Sequence, residues 1–192
     1  GEGRSDRVEN GQSKANDPNY LDPMQDRQMR KENDYYPTPH SIVAAIIKNY
    51  HPPKESLWEP CSGDSRLADA LKANGCVVIV GDIMSGDDFF GFPKARAKTI
   101  ITNPPFKYIR PFIDRAFQLG VRRMLLVCPE RLWACKKGAE QFQRHRPSKW
   151  INLSWREDYL GKGGAPDRAL AIAIWDSPCA EKCEYEIWDK QQ

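Results

Sequence analysis

No stretch of this sequence approaches the roughly 18 consecutive apolar residues that a bilayer-spanning helix requires, and its polar, mixed-charge start lacks the apolar core of a secretion signal. A cytoplasmic location is expected. Internal repeats and sustained heptads are also missing, which excludes solenoids and coiled coils. Charge of one sign is scarce: the net charge is +3 at pH 7, too little by itself to argue for a polyanionic partner. The six cysteines stand at irregular spacings. Cys179 and Cys183 would make half a zinc site, but no Cys or His pair follows at finger spacing, so no metal is expected. Several others lie in apolar runs, such as Cys76-Val-Val-Ile-Val and Leu-Leu-Val-Cys128, and are read as buried free thiols.

With 192 residues, 40% of them apolar and 29% charged, the chain suits one soluble globular domain, expected to be a monomer or a weak dimer. Residues 1–33 are polar, of mixed charge and without period, and read as a disordered or loosely attached arm. Residues 34–192 then form the folded domain. A helix is expected over His40 to Tyr50, with Thr38 as its N-cap and Pro39 as its first residue. A strand follows at Ser56 to Pro60, and a helix after it stops at Gly75. The run Cys76 to Val80, closed by Gly81-Asp82, has the continuous apolar character of a strand buried on both faces, and Thr99 to Asn103 is the next such strand. Only Ile83 to Lys98 separate them, so the crossover is expected to be compressed, with Gly86 to Phe90 as the remnant of an intermediate strand.

A helix over Ile109 to Leu119 and strands at Met124 to Cys128, Ile151 to Trp155 and Ala169 to Trp175 continue the alternation. The last two strands are joined by a loop containing Gly161 to Pro166, read as mobile. This is the pattern of an α/β fold: an open, mostly parallel sheet with helices on both faces, whose ligands bind beyond the carboxyl ends of the strands.

Three groups of polar residues follow strands directly: Glu59 to Ser65, Asp82 with Ile83, and Asn103 to Phe106. The last is the most informative. Pro104 and Pro105 can neither extend a ladder nor enter a helix interior, so they force a rigid extended exit that aims the Asn103 side chain and the Pro104 carbonyl at a fixed point. An amine on an aromatic base is a poor nucleophile because its lone pair is delocalised; two acceptors near its hydrogens favour the pyramidal form that attacks an electrophilic methyl. Phe106 offers a flat face to a base extruded from its helix. The alternative for the tetrapeptide is a proline-rich turn with a capping asparagine.

Glu59-Pro60-Cys61-Ser62-Gly63-Asp64-Ser65 occupies the first strand-to-helix turn, where Gly63 permits close backbone approach to a nucleoside cofactor. Asp82 stands where an acid can take ribose hydroxyls, or can simply cap a turn. Asp87 or Asp88 can accept from an adenine amine while Phe89 packs on the ring. Arg122, Arg123, Arg131, Lys136, Lys137, Arg144, Arg146 and Lys149, with Trp133, Trp150 and Trp155 interleaved, read either as a phosphate track with base-stacking aromatics or as a solvated basic surface.

In order and spacing these pieces resemble the amino-methyltransferases of the class I S-adenosylmethionine fold, particularly the small phage-type DNA N6-adenine methyltransferases, over about residues 34 to 176. Tyr36-Pro37-Thr38-Pro39 resembles the family's lead-in motif, Glu59-Pro60-Cys61-Ser62-Gly63 its cofactor loop, Asp82-Ile83 its ribose site, Asp88-Phe89 its adenine site, and Asn103-Pro104-Pro105-Phe106 its catalytic motif. The resemblance implies S-adenosyl-L-methionine as cofactor, with Thr38 and the Gly63 loop holding its methionine end. It implies DNA as the partner in preference to RNA, and an antiparallel strand pair late in the sheet. The family's second loop glycine is here Ser65, and there is no room for a separate recognition domain, so relaxed or short-motif specificity is expected. Rival substrates on the same fold are cytosine N4, guanine N2 of ribosomal RNA, and protein glutamine. From another class comes a non-catalytic DNA-binding relic, suggested by Ser65 and the short crossover.

Overall fold

The computed structural model describes residues 37–157 and 168–192. The arm read over residues 1–33, Tyr36 of the lead-in motif, and the Gly161 to Pro166 loop lie outside the described residues. In chain order the elements are α1 (His40–Asn49), β1 (Leu57–Glu59), α2 (Arg66–Ala73), β2 (Val78–Val80), β3 (Thr99–Thr102), α3 (Ile109–Gln118), β4 (Arg123–Pro129), α4 (Lys136–Arg144), β5 (Lys149–Glu157), β6 (Arg168–Trp175) and β7 (Glu184–Trp188). Short 3₁₀ turns stand at Ile83–Ser85, Phe89–Gly91 and Phe106–Tyr108.

The seven strands form one sheet in the order β2-β1-β3-β4-β6-β5-β7. β6 is antiparallel to both its neighbours, β4 and β5, and every other neighbouring pair is parallel. Six strands therefore point their carboxyl ends to the same rim. Side-chain alternation along β1, β3, β4 and β6 sends successive apolar residues into two cores. Ile42, Ile46, Leu57, Leu67, Ile101, Leu125 and Ile172 fill one, beneath α1 and α2. Trp58, Ile100, Phe112, Ile113, Met124, Leu126 and Trp175 fill the other, beneath α3. Helices thus cover both faces, as the alternation of elements predicts.

Some expectations are corrected. Helix α1 is capped by Pro39, whose carbonyl accepts from the Ile42 and Val43 amides at 3.1 and 3.0 Å, and Thr38 lies one residue further out. β2 is not buried on both faces but is an edge strand, with Val77 and Val80 exposed. The apolar run reports β propensity there and says nothing about whether a neighbour exists. Gly86 to Phe90 forms no strand remnant: the crossover is two 3₁₀ turns capped by Asp82 and Asp88, and no strand lies between β2 and β3. Of the cysteines, all unpaired, Cys128 is buried, Cys61, Cys76 and Cys183 are half-buried, and Cys135 and Cys179 are exposed.

Helix α4 was not apparent in the sequence pattern. It docks largely through polar groups: the Gln141 amide donates to the Arg110 carbonyl at 2.8 Å and to Asp114 at 3.0 Å, from a side chain that is almost wholly buried. Gly138 allows the approach, since a Cβ there would stand 2.5 Å from the Leu132 carbonyl oxygen and 3.0 Å from the Trp133 Cα. Alanine in a helix normally gains about 1 kcal/mol over glycine. Here backbone must move, so the steric cost wins and Gly138→Ala is expected to destabilise by roughly 2 kcal/mol, read by urea unfolding. An unchanged or raised midpoint would refute the packing.

Candidate active site

The carboxyl ends of β1, β2 and β3 lie side by side, and the loops leaving them interlock. After β1 the chain turns through Pro60 to Ser65, with Gly63 at φ 55° and Ser65 at φ 62°. The turn is pinned to β2: Ser62 N–H donates to the Gly81 carbonyl at 3.0 Å, and Gly63 N–H donates to an Asp82 carboxylate oxygen at 2.9 Å. The other Asp82 oxygen accepts from the Met84 amide at 2.8 Å. Asp82 is therefore a cap and a clasp between the two loops. Each carboxylate oxygen keeps a second acceptor site, so the clasp leaves capacity for a ligand hydroxyl.

Glu59 ends β1 with only 1% of its surface exposed. Its Oε2 has no hydrogen-bond partner among the described residues. Burial pushes its carboxyl up to about 8, Asp64, Asp82 and Asp69 push the same way, and the Ala68 backbone N–H opposes them. Burial also pushes the Cys61 thiol up, beside Glu59, Thr102 and Asp82. Pro37 is half-buried and Thr38 buried, and the Thr38 carbonyl accepts from the Arg66 guanidinium at 3.1 Å, which ties the lead-in segment to the start of α2.

Ser65 holds the left-handed conformation that a glycine would adopt without strain. That geometry costs an L-residue roughly 1–2 kcal/mol, while glycine would lose about 0.4–1 kcal/mol more chain entropy on folding. The strain is the larger, so Ser65→Gly is expected to raise stability by about 0.5–1 kcal/mol. A fall in the denaturation midpoint would show that the serine side chain contributes contacts outweighing its strain.

Asn103 follows β3, which is buried throughout, and is itself 8% exposed. Pro104 is buried and Pro105 half-buried, and no cis peptide bond occurs, so the tetrapeptide leaves the sheet as an extended trans segment. Phe106 opens the 3₁₀ turn, half-buried against the core beneath α1 and α2. β1 and β3 are parallel neighbours, which sets Asn103 beside the Glu59 to Ser65 loop. The structure thus brings Pro37, Thr38, Glu59 to Ser65, Asp82 and Asn103 to Phe106 to one rim of the sheet.

Other candidates fall differently. Phe89 is 5% exposed and its ring stacks on Phe112 at 4.0 Å, so it is a core residue; its exposed neighbour is Phe90. Asp88 caps the Phe90 amide at 3.0 Å and is exposed. Ile83 and Met84, next to Asp82, are 60% and 52% exposed. Trp133 is half-buried against Phe142 and Trp150, with ring centroids 5.4 and 5.7 Å apart, and Trp155 packs on the opposite core. These tryptophans are packing groups and not a free stacking platform. The basic stretch is divided by α4, which carries it from one rim of the sheet to the other. No group of three or more metal-ligating side chains occurs among the described residues.

The donor set fits a cationic nucleoside cofactor. Asp82 supplies a carboxylate and Glu59 a buried, proton-bearing carboxyl at adjacent strand ends, Gly63 brings backbone close, and Ile83 and Met84 give exposed apolar surface beside Asp82. No family model matches the chain, and no curated protein matches it. Solved structures do. A Listeria monocytogenes protein described as a class I S-adenosylmethionine-dependent methyltransferase superposes with a TM-score of 0.55 at 15% identity, over 80% of this chain and 66% of that one. The M protein of the type I restriction enzyme EcoKI gives 0.51 at 14% identity, over 86% of this chain and 50% of its own. A Pyrococcus horikoshii protein described as an RNA methyltransferase gives 0.52 at 13% identity, over 76% of this chain and 87% of its own. The chain thus spans less than two thirds of the first two. At these identities the likeness is one of fold: the Rossmann-like α/β sheet of class I methyltransferases.

Proposed function

We propose that this chain transfers a methyl group from S-adenosyl-L-methionine to an exocyclic amine of a nucleic-acid base, N6 of adenine in DNA. The observation that carries the reading is the placement of Asn103-Pro104-Pro105-Phe106 at the carboxyl end of a buried strand, beside a cofactor-type loop clasped to Asp82. When bound, the cofactor supplies a methyl group made electrophilic by its sulfonium. The chain's residues do the rest. Thr38 and the Gly63 loop hold the methionine end, Asp82 takes the ribose, and Ile83, Met84 and Phe90 flank the adenine, where Phe89 is withdrawn into the core. Asp88 at the rim accepts from the adenine amine.

The Asn103 side-chain oxygen and the Pro104 carbonyl accept from the two hydrogens of the target amine. That contact localises the lone pair on nitrogen and points it at the methyl. Methyl transfer would leave the nitrogen cationic, and Asn103 and the Pro104 carbonyl would hold its proton until it passed to water, so no strong base would be required. Phe106, a half-buried residue, stacks on the extruded base.

Transfer of a labelled methyl group to unmethylated DNA, followed by digestion to nucleosides, tests the proposal. N6-methyladenine in the digest supports it. Label in N4-methylcytosine, in RNA or in protein glutamine, with none in adenine of DNA, would sink the adenine assignment and retain the methyltransferase. Absence of cofactor binding by calorimetry would sink both.

A further inference from the structure

The cations of the basic stretch differ in what they meet. At the amino rim of the sheet Arg123 pairs with Glu55 at 3.2 Å, Arg144 with Asp114 at 3.4 Å, and Lys149 with Glu186 at 2.5 Å, while Arg146 donates to the Glu181 carbonyl at 2.8 Å. Arg122, in the same group, forms no ion pair among the described residues. At the carboxyl rim Arg131, Lys136 and Lys137 are exposed and their side chains make no ion pair among the described residues. Glu130, next to Arg131, accepts from Asn152 at 3.1 Å and faces β5 instead, and Glu140, one turn along α4 from Lys136 and Lys137, forms no ion pair with either among the described residues.

Arg131 sits on the turn between β4 and α4, Lys136 and Lys137 open α4 directly after it, and that turn is fixed relative to the tetrapeptide. β3 and β4 pair up to Thr102 and Leu126, after which β4 continues for Val127, Cys128 and Pro129. The turn therefore stands about 10 Å further out than Asn103 along the strand direction, as a wall beside it. Arg110, in the first turn of α3 just after Phe106, donates to the Leu132 carbonyl and, at 3.3 Å, to the Cys135 sulfur. Trp133 anchors the same turn from below through Phe142 and Trp150. A solvated basic face has no need of such fixing, and long side chains on a mobile loop would lose more entropy on binding.

We propose that Arg131, Lys136 and Lys137 form a phosphate-binding wall that holds the DNA backbone beside the extruded base. This rests on the reaction proposed above, and it names residues and a register that the reaction alone does not. The bound groups are phosphodiesters, contacted without reading sequence.

The test is the salt dependence of binding of the full chain to a labelled unmethylated duplex, followed by fluorescence anisotropy. Each phosphate contact adds about 0.9 to the slope of log K against log salt. The double variant Lys136→Ala/Lys137→Ala is expected to flatten the slope by about 2, and Arg131→Ala by about 1. Lys98→Ala/Arg122→Ala, at the amino rim, should leave it unchanged. Wild-type slopes in the carboxyl-rim variants, an equal loss in the amino-rim control, or preference for single-stranded RNA over the duplex would each overturn the wall as a DNA site. Binding is read independently of transfer. Flattened slopes with no methyl transfer by the wild-type chain would refute the reaction and keep the surface; transfer with unflattened slopes would refute the surface and keep the reaction.

Discussion

Replacing Asn103 by alanine is expected to lower turnover by about a hundredfold or more while leaving cofactor affinity and the unfolding midpoint close to wild type. The expectation rests on where Asn103 stands. It is the first residue past β3, 8% exposed, and followed by two prolines that remove the freedom to reorient. A preorganised acceptor of this kind acts on the developing charge at the amine, so its loss falls on the chemical step. The Michaelis constant for the cofactor should therefore change little while kcat drops. A purely structural asparagine would give the opposite: a lowered unfolding midpoint and turnover within threefold of wild type. Circular dichroism, calorimetry with the cofactor and single-turnover methyl transfer separate the two.

Much of the fold is legible in the sequence because a strand in a sheet covered on both faces must be apolar along its whole length. Ile100-Ile101 and Met124 to Cys128 show this, and both lie in the middle of the sheet. The same reasoning fails at an edge. Val78 to Val80 is as apolar as a central strand, yet the two 3₁₀ turns that follow it take the place of the strand that would have covered it. β7 went unseen for the converse reason: Glu184, Glu186 and the polar tail hide the alternation of Tyr185 and Ile187, a period-two signal that is present but faint over five residues. Helix α4 has few apolar residues to mark a face, because Gln141 and Gly138 dock it by hydrogen bonding and close approach. The candidate site is legible where chemistry is carried by a rigid tetrapeptide or a lone acid after a strand. Phe89 is the exception. Sequence places it near a ligand, but with the intermediate strand missing, the core beneath α3 takes the ring in to stack on Phe112.

Glu59 gives the second large effect, through pH. The ordinary value of its carboxyl is 4.5, and in the folded chain burial, with Asp64, Asp82 and Asp69 nearby, pushes it up to about 8. The folded state therefore keeps a proton that the unfolded chain releases above about pH 4.5. Stability from this group is fully present below that pH, declines as pH rises, and is lost once pH passes 8. For a shift of this size, the contribution lost between pH 5 and pH 8 is about 3 kcal/mol. Glu59→Gln cannot ionise, so the wild-type decline over that window should be absent from the variant, whose advantage grows with pH in urea titrations. Parallel pH curves for the two proteins would refute the buried, proton-bearing carboxyl. The same group bears on ligand binding. The proposed cofactor is a cation, and an ionised Glu59 beside it is better paired than a neutral one. Affinity measured by calorimetry should tighten from pH 6 to pH 8 in the wild type, by no more than about tenfold per pH unit, and stay flat in Glu59→Gln. The two slopes run in opposite directions because ionisation costs the empty fold and favours the loaded one.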